Sequence, residues 1–170
     1  MTFCLPDADA DPERFLDALF DAGCDDATVG AGRRGMIALE FTREAPSADE
    51  AIRSAITGVE RAIPGARLIE AKPDLVNLSD IADLVGMSRQ NIRKYAAGEI
   101  RTVDAAFPAP SFSGRPAPLW HFYEVAVWLV RFTELRPTPE IIEASLAACK
   151  LNLDAEQRRI AMLSEAAATK

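Results

Sequence analysis

Leu78-Ser79-Asp80-Ile81-Ala82-Asp83-Leu84-Val85-Gly86-Met87-Ser88-Arg89-Gln90-Asn91-Ile92-Arg93-Lys94-Tyr95-Ala96-Ala97 is the stretch on which the reading of this chain turns. Two short helices that cross closely need a small residue at the crossing, and the turn between them often needs glycine. Ala82 supplies the small residue, and Gly86 follows where a turn would fall. Ile81, Val85, Met87, Ile92 and Tyr95 occupy the positions that such a pair must bury. Ser79 and Ser88 are of the type that caps a helix N-terminus, because a side-chain oxygen there accepts an otherwise unpaired backbone N–H. The pattern predicts a helix-turn-helix over residues 78–97.

If Ile92 and Tyr95 face inward, the outward side of the second helix, Ser88–Ala97, carries Ser88, Arg89, Gln90, Arg93 and Lys94. These side chains suit the major groove of DNA. Arginine can donate two hydrogen bonds to guanine, and glutamine can pair with adenine. The formal net charge of the chain, -7, is unfavourable to a polyanion. Its distribution decides the matter. Residues 1–74 carry 15 acidic and 8 basic side chains, whereas residues 75–130 carry 5 of each. Between Ser88 and Arg115, five cations (Arg89, Arg93, Lys94, Arg101, Arg115) face only Glu99 and Asp104. A locally basic module therefore follows an acidic one.

Downstream lies a proline-rich stretch, Phe107-Pro108-Ala109-Pro110, with Pro116 and Pro118 beyond. Arg115 and Trp120 follow it, then a helical pattern from near His121 that carries Glu124-Val125 and Trp128-Leu129. This combination resembles the AlpA/excisionase branch of the MerR-like winged helix-turn-helix family, over about residues 75–130. The resemblance implies a Pro-containing β-hairpin wing that carries Arg115 to the phosphate backbone. It also implies a core role for Trp120, Val125, Trp128 and Leu129. The stretch Arg101–Ala106 is longer than the family pattern.

Toward the N-terminus, strand patterns are read at Thr2–Leu5, Ala27–Gly30, Met36–Phe41 and Ala66–Glu70. Between the first two, Pro12 sits early in a helix whose Phe15, Leu16, Leu19 and Phe20 form one face, ended by Gly23. Gly30-Ala31-Gly32-Arg33-Arg34-Gly35 has hairpin chemistry. Ser47-Ala48-Asp49-Glu50 is a capping box. It opens a helix with Ile52, Ile56, Val59 and Ile63 on one stripe, which Pro64-Gly65 stops. The order βαββαβ predicts a ferredoxin-like domain. The fold class expected is α+β: residues 1–73 ferredoxin-like, 75–132 a winged helix-turn-helix, and 137–170 C-terminal helices. The last region is read as two helices, starting at Thr138-Pro139-Glu140 and at Asp154 with Gln157.

Several functions are disfavoured by the same residues. No apolar run reaches the ~18 residues of a membrane span, and the N-terminus lacks a secretory pattern, so a cytoplasmic protein is expected. Cys4, Cys24 and Cys149 are far apart and His121 is the one histidine. They are read as reduced thiols and a surface residue at a helix start, with no metal site and no cofactor. Asp25-Asp26 would point to opposite faces of a strand. An enzyme is not expected. The partners expected are double-stranded DNA and a second copy of the chain, since one helix-turn-helix spans few base pairs. Dimerisation falls either to the sheet or, preferably, to the C-terminal helices with Ile141, Ile142, Leu146, Ile160 and Leu163. Two alternatives to a sequence-specific transcriptional regulator are an antitoxin, partnered by a toxin, and an excisionase-type architectural factor, partnered by a recombinase.

Overall fold

The computed structural model describes residues 1–30, 33–114 and 116–168. Their contacts divide the chain into two units, Met1–Ala71 together with the chain from Lys150 onward, and Lys72–Cys149. The whole is mixed α and β, with six α-helices among the described residues. None of these helices is long and apolar enough to cross a membrane.

In the first unit, β1 (Thr2–Cys4), β2 (Ala27–Gly30), β3 (Met36–Phe41) and β4 (Arg67–Glu70) form one antiparallel sheet in the order β2-β3-β1-β4. Phe3 stands opposite both Ile37 and Leu68, and Val29 opposite Leu39. These residues share a face, and Phe3 and Ile37 are fully buried. α1 (Leu16–Asp21) and α2 (Ala48–Ala62) cover that face, contributing Leu19 and Val59, with Ile63 just beyond α2. Ser47 caps α2 by accepting from Glu50 N–H at 3.1 Å. The backbone of α2 packs tightly at Gly58, where a Cβ would lie 2.8 Å from Cys24 Sγ.

One expectation for this unit needs correction. Phe15, Leu16, Leu19 and Phe20 do not form a single buried face. Pro12–Phe15 is a 3-10 turn capped by Asp11, and only then does α1 begin. The stripe that meets the core is Phe15 and Leu19, four residues apart, and Leu16 and Phe20 lie about 100° round the helix from it. Leu19 is buried, while Leu16 is 42% and Phe20 67% exposed. Of the hairpin loop, Ala31 and Gly32 lie outside the described residues.

Arg43 ties the loops of this unit together. Its Nε and Nη2 donate to the two carboxylate oxygens of Asp26, both at 2.7 Å, and Nη2 also donates to the Gly23 carbonyl at 2.8 Å. The hydrogen bonds from Arg43 hold the Asp26 carboxyl below its ordinary 3.8, against the opposing effect of burial. A carboxylate whose folded value is depressed stabilises fully above its unfolded value and loses that contribution as pH falls through the folded one. Arg43→Met should therefore be less stable than the natural chain above pH 3.8. Its unfolding midpoint should also fall less steeply on further acidification. Urea titrations of both chains across that pH range check this; parallel curves would remove Asp26 from the account.

The second unit begins with β5 (Leu75–Val76), which pairs antiparallel with β6 (Trp120–His121). Between them run α3 (Leu78–Leu84), α4 (Arg89–Ala96) and a long loop, and α5 (Phe122–Phe132) follows. Ile81, Ala82, Ile92, Phe122, Val125, Trp128 and Leu129 form one buried cluster, with Trp120 and Val76. α3 is capped by Asn77 and not by Ser79. Asn77 Oδ1 accepts from Ser79 N–H at 2.7 Å and Asp80 N–H at 3.2 Å, while Asp80 returns a bond to Asn77 N–H at 2.9 Å. Ser79 already sits inside the first turn, where its own N–H needs a partner.

The proline-rich loop is held by aromatic contacts. Phe107 meets Trp120 and Trp128 edge-on, with centroids 6.0 and 5.0 Å apart, and Trp120 Nε1 donates to the Pro108 carbonyl at 2.9 Å. Where the family resemblance implies a hairpin wing, the described residues form one antiparallel bridge, Phe112 with Leu119. Pro108, Pro110, Pro116 and Pro118 lack the N–H groups that a longer ladder needs. The C-terminal region is also simpler than expected. α6 (Pro139–Ala168) is one helix, because the sequence after Pro139 contains no glycine or proline to break it. Asp154 continues that helix and starts nothing.

Candidate nucleic-acid interface

The site is built on the α3–α4 pair. Ala82 is 2% exposed and Ile92 fully buried, so the two helices meet as the small-residue pattern requires. The chain reverses at Gly86, whose φ of 66° lies in the left-handed region that side chains rarely adopt. Met87 N–H then donates to the Ala82 carbonyl at 2.8 Å, closing the end of α3. Ser88 caps α4, its Oγ accepting from Asn91 N–H at 3.3 Å.

This framework fixes the orientation of α4. Ile92 enters the core, and the Tyr95 ring packs edge-on against Trp128 at 5.9 Å. Ser88, Arg89, Gln90 and Arg93 are left exposed and Lys94 half-buried. Arg89, Gln90, Arg93 and Lys94 line one open groove of about 440 Å³ together with Glu99. No protein family, curated protein or solved structure matches this chain. The reading of the groove therefore rests on its own residues.

Of the seven residues expected at the interface, the groove brings four together: Arg89, Gln90, Arg93 and Lys94. Ser88 is the helix cap beside them. Arg101 is exposed in the loop after α4 and does not line the groove. Arg115 lies outside the described residues. The sequence reading missed Glu99, which entered it only as an opposing charge. Its backbone N–H reaches back to the Lys94 carbonyl at 2.9 Å as Gly98 ends the helix. The Ala97-Gly98 helix end was the signal, because a chain that reverses after such a glycine returns along the last turn.

A second group was also missed. His121 is no free surface residue: it is half-buried at the N-cap of α5, and its Nδ1 lies 2.6 Å from Asp74 Oδ1. Asp74 itself is 2% exposed. The two meet because β5 and β6 pair Leu75 with His121.

The expected dimer surface on α6 divides in two. Ile141 and Ile142 pack half-buried against the core of the second unit and are not spare apolar surface. Farther along, Leu153, Ile160, Met162 and Leu163 are each more than half exposed.

Proposed function

We propose that this chain is a sequence-specific DNA-binding transcriptional regulator that reads the major groove with α4. The observation that carries the reading is the groove in which Arg89, Gln90, Arg93 and Lys94 converge on the outward side of a helix anchored by Ile92. An eight-residue helix is about 12 Å long, and a B-DNA major groove is about 12 Å wide. Arg89, Gln90 and Arg93 are the base readers. Lys94, Arg101 and, from the family resemblance, Arg115 hold phosphates. Glu99 accepts from a cytosine amino group, or rejects a phosphate misplaced in the groove.

The surrounding architecture supports this assignment. An α3–α4 pair that shares its core with α5 and the β5–β6 strands suits a winged helix-turn-helix with a short wing. The sheet order β2-β3-β1-β4, with two helices on one face, suits a ferredoxin-like partner domain. The protein works as a homodimer in this reading. Leu153, Ile160 and Leu163 recur at helical spacing on α6 and offer the contact between copies.

Selection of duplexes from a random pool tests the reading. The natural chain should enrich two half-sites separated by about one helical turn, roughly 10 base pairs. Arg93→Ala should still select the repeat but relax one base in each half, weakening the preferred site by about 1–3 kcal/mol. Enrichment of no motif, or an unchanged motif for both Arg89→Ala and Arg93→Ala, would refute the assignment of α4.

A further inference from the structure

Asp74, His121 and Cys149 converge within the second unit. One ligand atom from each lies within 4.8 Å of the other two. His121 Nδ1 stands 2.6 Å from Asp74 Oδ1 and 3.6 Å from Cys149 Sγ. Three separate pieces of the chain bring them there. Asp74 precedes β5, His121 ends β6, and Cys149 lies on α6. The first two are fixed by backbone, since Leu75 pairs with His121 and Phe122 N–H donates to the Asp74 carbonyl at 2.8 Å.

The donor set is selective. A carboxylate oxygen, an imidazole nitrogen and a thiolate together suit a borderline divalent transition ion, whereas magnesium and calcium demand mostly oxygen. The spacing agrees. Tetrahedral zinc, with bonds of about 2.0 Å to nitrogen and oxygen and about 2.3 Å to sulfur, sets the nitrogen and sulfur roughly 3.5 Å apart. The observed 3.6 Å matches that separation. The same geometry sets nitrogen and oxygen roughly 3.3 Å apart. The Asp74 carboxylate would therefore swing outward from its present 2.6 Å hydrogen bond.

A nucleophilic Cys–His–Asp assembly fits less well. In that arrangement the thiol and the carboxylate address opposite ring nitrogens. Here Asp74 and Cys149 both approach Nδ1.

We propose that Asp74, His121 and Cys149 form a three-ligand site for a divalent transition-metal ion of the zinc class, with water completing the coordination. Binding releases the Cys149 thiol proton to solvent; the proton between Asp74 Oδ1 and His121 Nδ1 moves through solvent to Nε2 of the neutral imidazole, and that hydrogen bond gives way to one bond from each residue to the metal. The site links Cys149 on α6 to the β5–β6 strands within Lys72–Cys149, and it stands whether or not α4 reads DNA.

Cobalt(II) is the probe. Metal-free, reduced full-length chain is titrated with cobalt while thiolate-to-cobalt charge transfer and the visible ligand-field bands are followed. One equivalent should bind with tetrahedral intensity, and zinc should displace it. Cys149→Ser should abolish the charge-transfer band, with folding checked by tryptophan fluorescence. A chain carrying Cys4→Ser and Cys24→Ser, with Cys149 as its only thiol, should retain the band in full. Asp74→Asn should weaken cobalt binding at least tenfold. No band in the natural chain, a band that survives Cys149→Ser, or its loss from the Cys149-only chain while that chain remains folded would each overturn the proposal.

Discussion

Replacing Gly35 with alanine should destabilise the first unit by at least about 3 kcal/mol, a loss in the range reserved for backbone strain and overpacking. Two effects add. Gly35 has φ of 76°, where a Cβ costs about 1–2 kcal/mol in steric strain. That Cβ would also be driven into the backbone of Ala8, 2.8 Å from its carbonyl carbon and 2.9 Å from its Cα. A flexible side chain could yield there, but the peptide cannot easily do so. Gly35 N–H donates to the Ala10 carbonyl at 3.0 Å, and Leu5 N–H donates to the Gly35 carbonyl at 2.8 Å. Any retreat would break bonds that join the start of β3 to the segment after β1. Far-UV circular dichroism during urea unfolding measures the loss. An unchanged midpoint would mean that this close approach does not exist.

Phe122→Ala should remove a comparable amount from the second unit, about 3–5 kcal/mol. Phe122 is fully buried and is one of the largest side chains in that state. It opens α5 directly after β6, so it packs where the helix, the strands and α4 share a core. Domains of this size are stable by only about 5–15 kcal/mol, so the variant should lie close to unfolding. Trp120 and Trp128 both belong to this unit and are the only tryptophans of the chain. Their fluorescence therefore reports its unfolding selectively. A midpoint that moves little would show that the cavity collapses, and that the core is looser than its burial indicates.

Much of this architecture was legible because local rules agreed with one another. β2 and β3 fall at Ala27–Gly30 and Met36–Phe41, where the strand patterns placed them. The α3–α4 pair follows from Ala82, Gly86 and Ile92, which constrain a crossing, a turn and a core contact separately. Failures came where one local signal competed with another. Asn77 and Ser79 are both good caps, and only the backbone shows which stands outside the helix. Asp154 has the chemistry of a helix start, but the preceding residues are already helical and nothing there interrupts them. Phe20 sat in a plausible apolar face, but the core takes the stripe of Phe15 and Leu19, about 100° round the helix from Phe20.

The candidate sites divide along the same line. Arg89, Gln90, Arg93 and Lys94 share one short helix, so helical spacing alone groups them. Asp74, His121 and Cys149 share no element, and strand pairing together with α6 assembles them. Sequence separation hid that group, while its residue types were in plain view.

The most direct measurement of the central claim is duplex-DNA binding by fluorescence anisotropy at several salt concentrations, for the natural chain and for one carrying Arg89→Ala, Arg93→Ala and Lys94→Ala. If two copies each neutralise three phosphates, through Lys94, Arg101 and Arg115, log affinity should fall against log salt with a slope of roughly -5, from about -0.9 per phosphate. The triple variant should keep its fold, since it removes none of the buried residues, and should lose binding at every salt concentration. Failure of the natural chain to bind any duplex at low salt, or equal binding by the triple variant, would contradict the account.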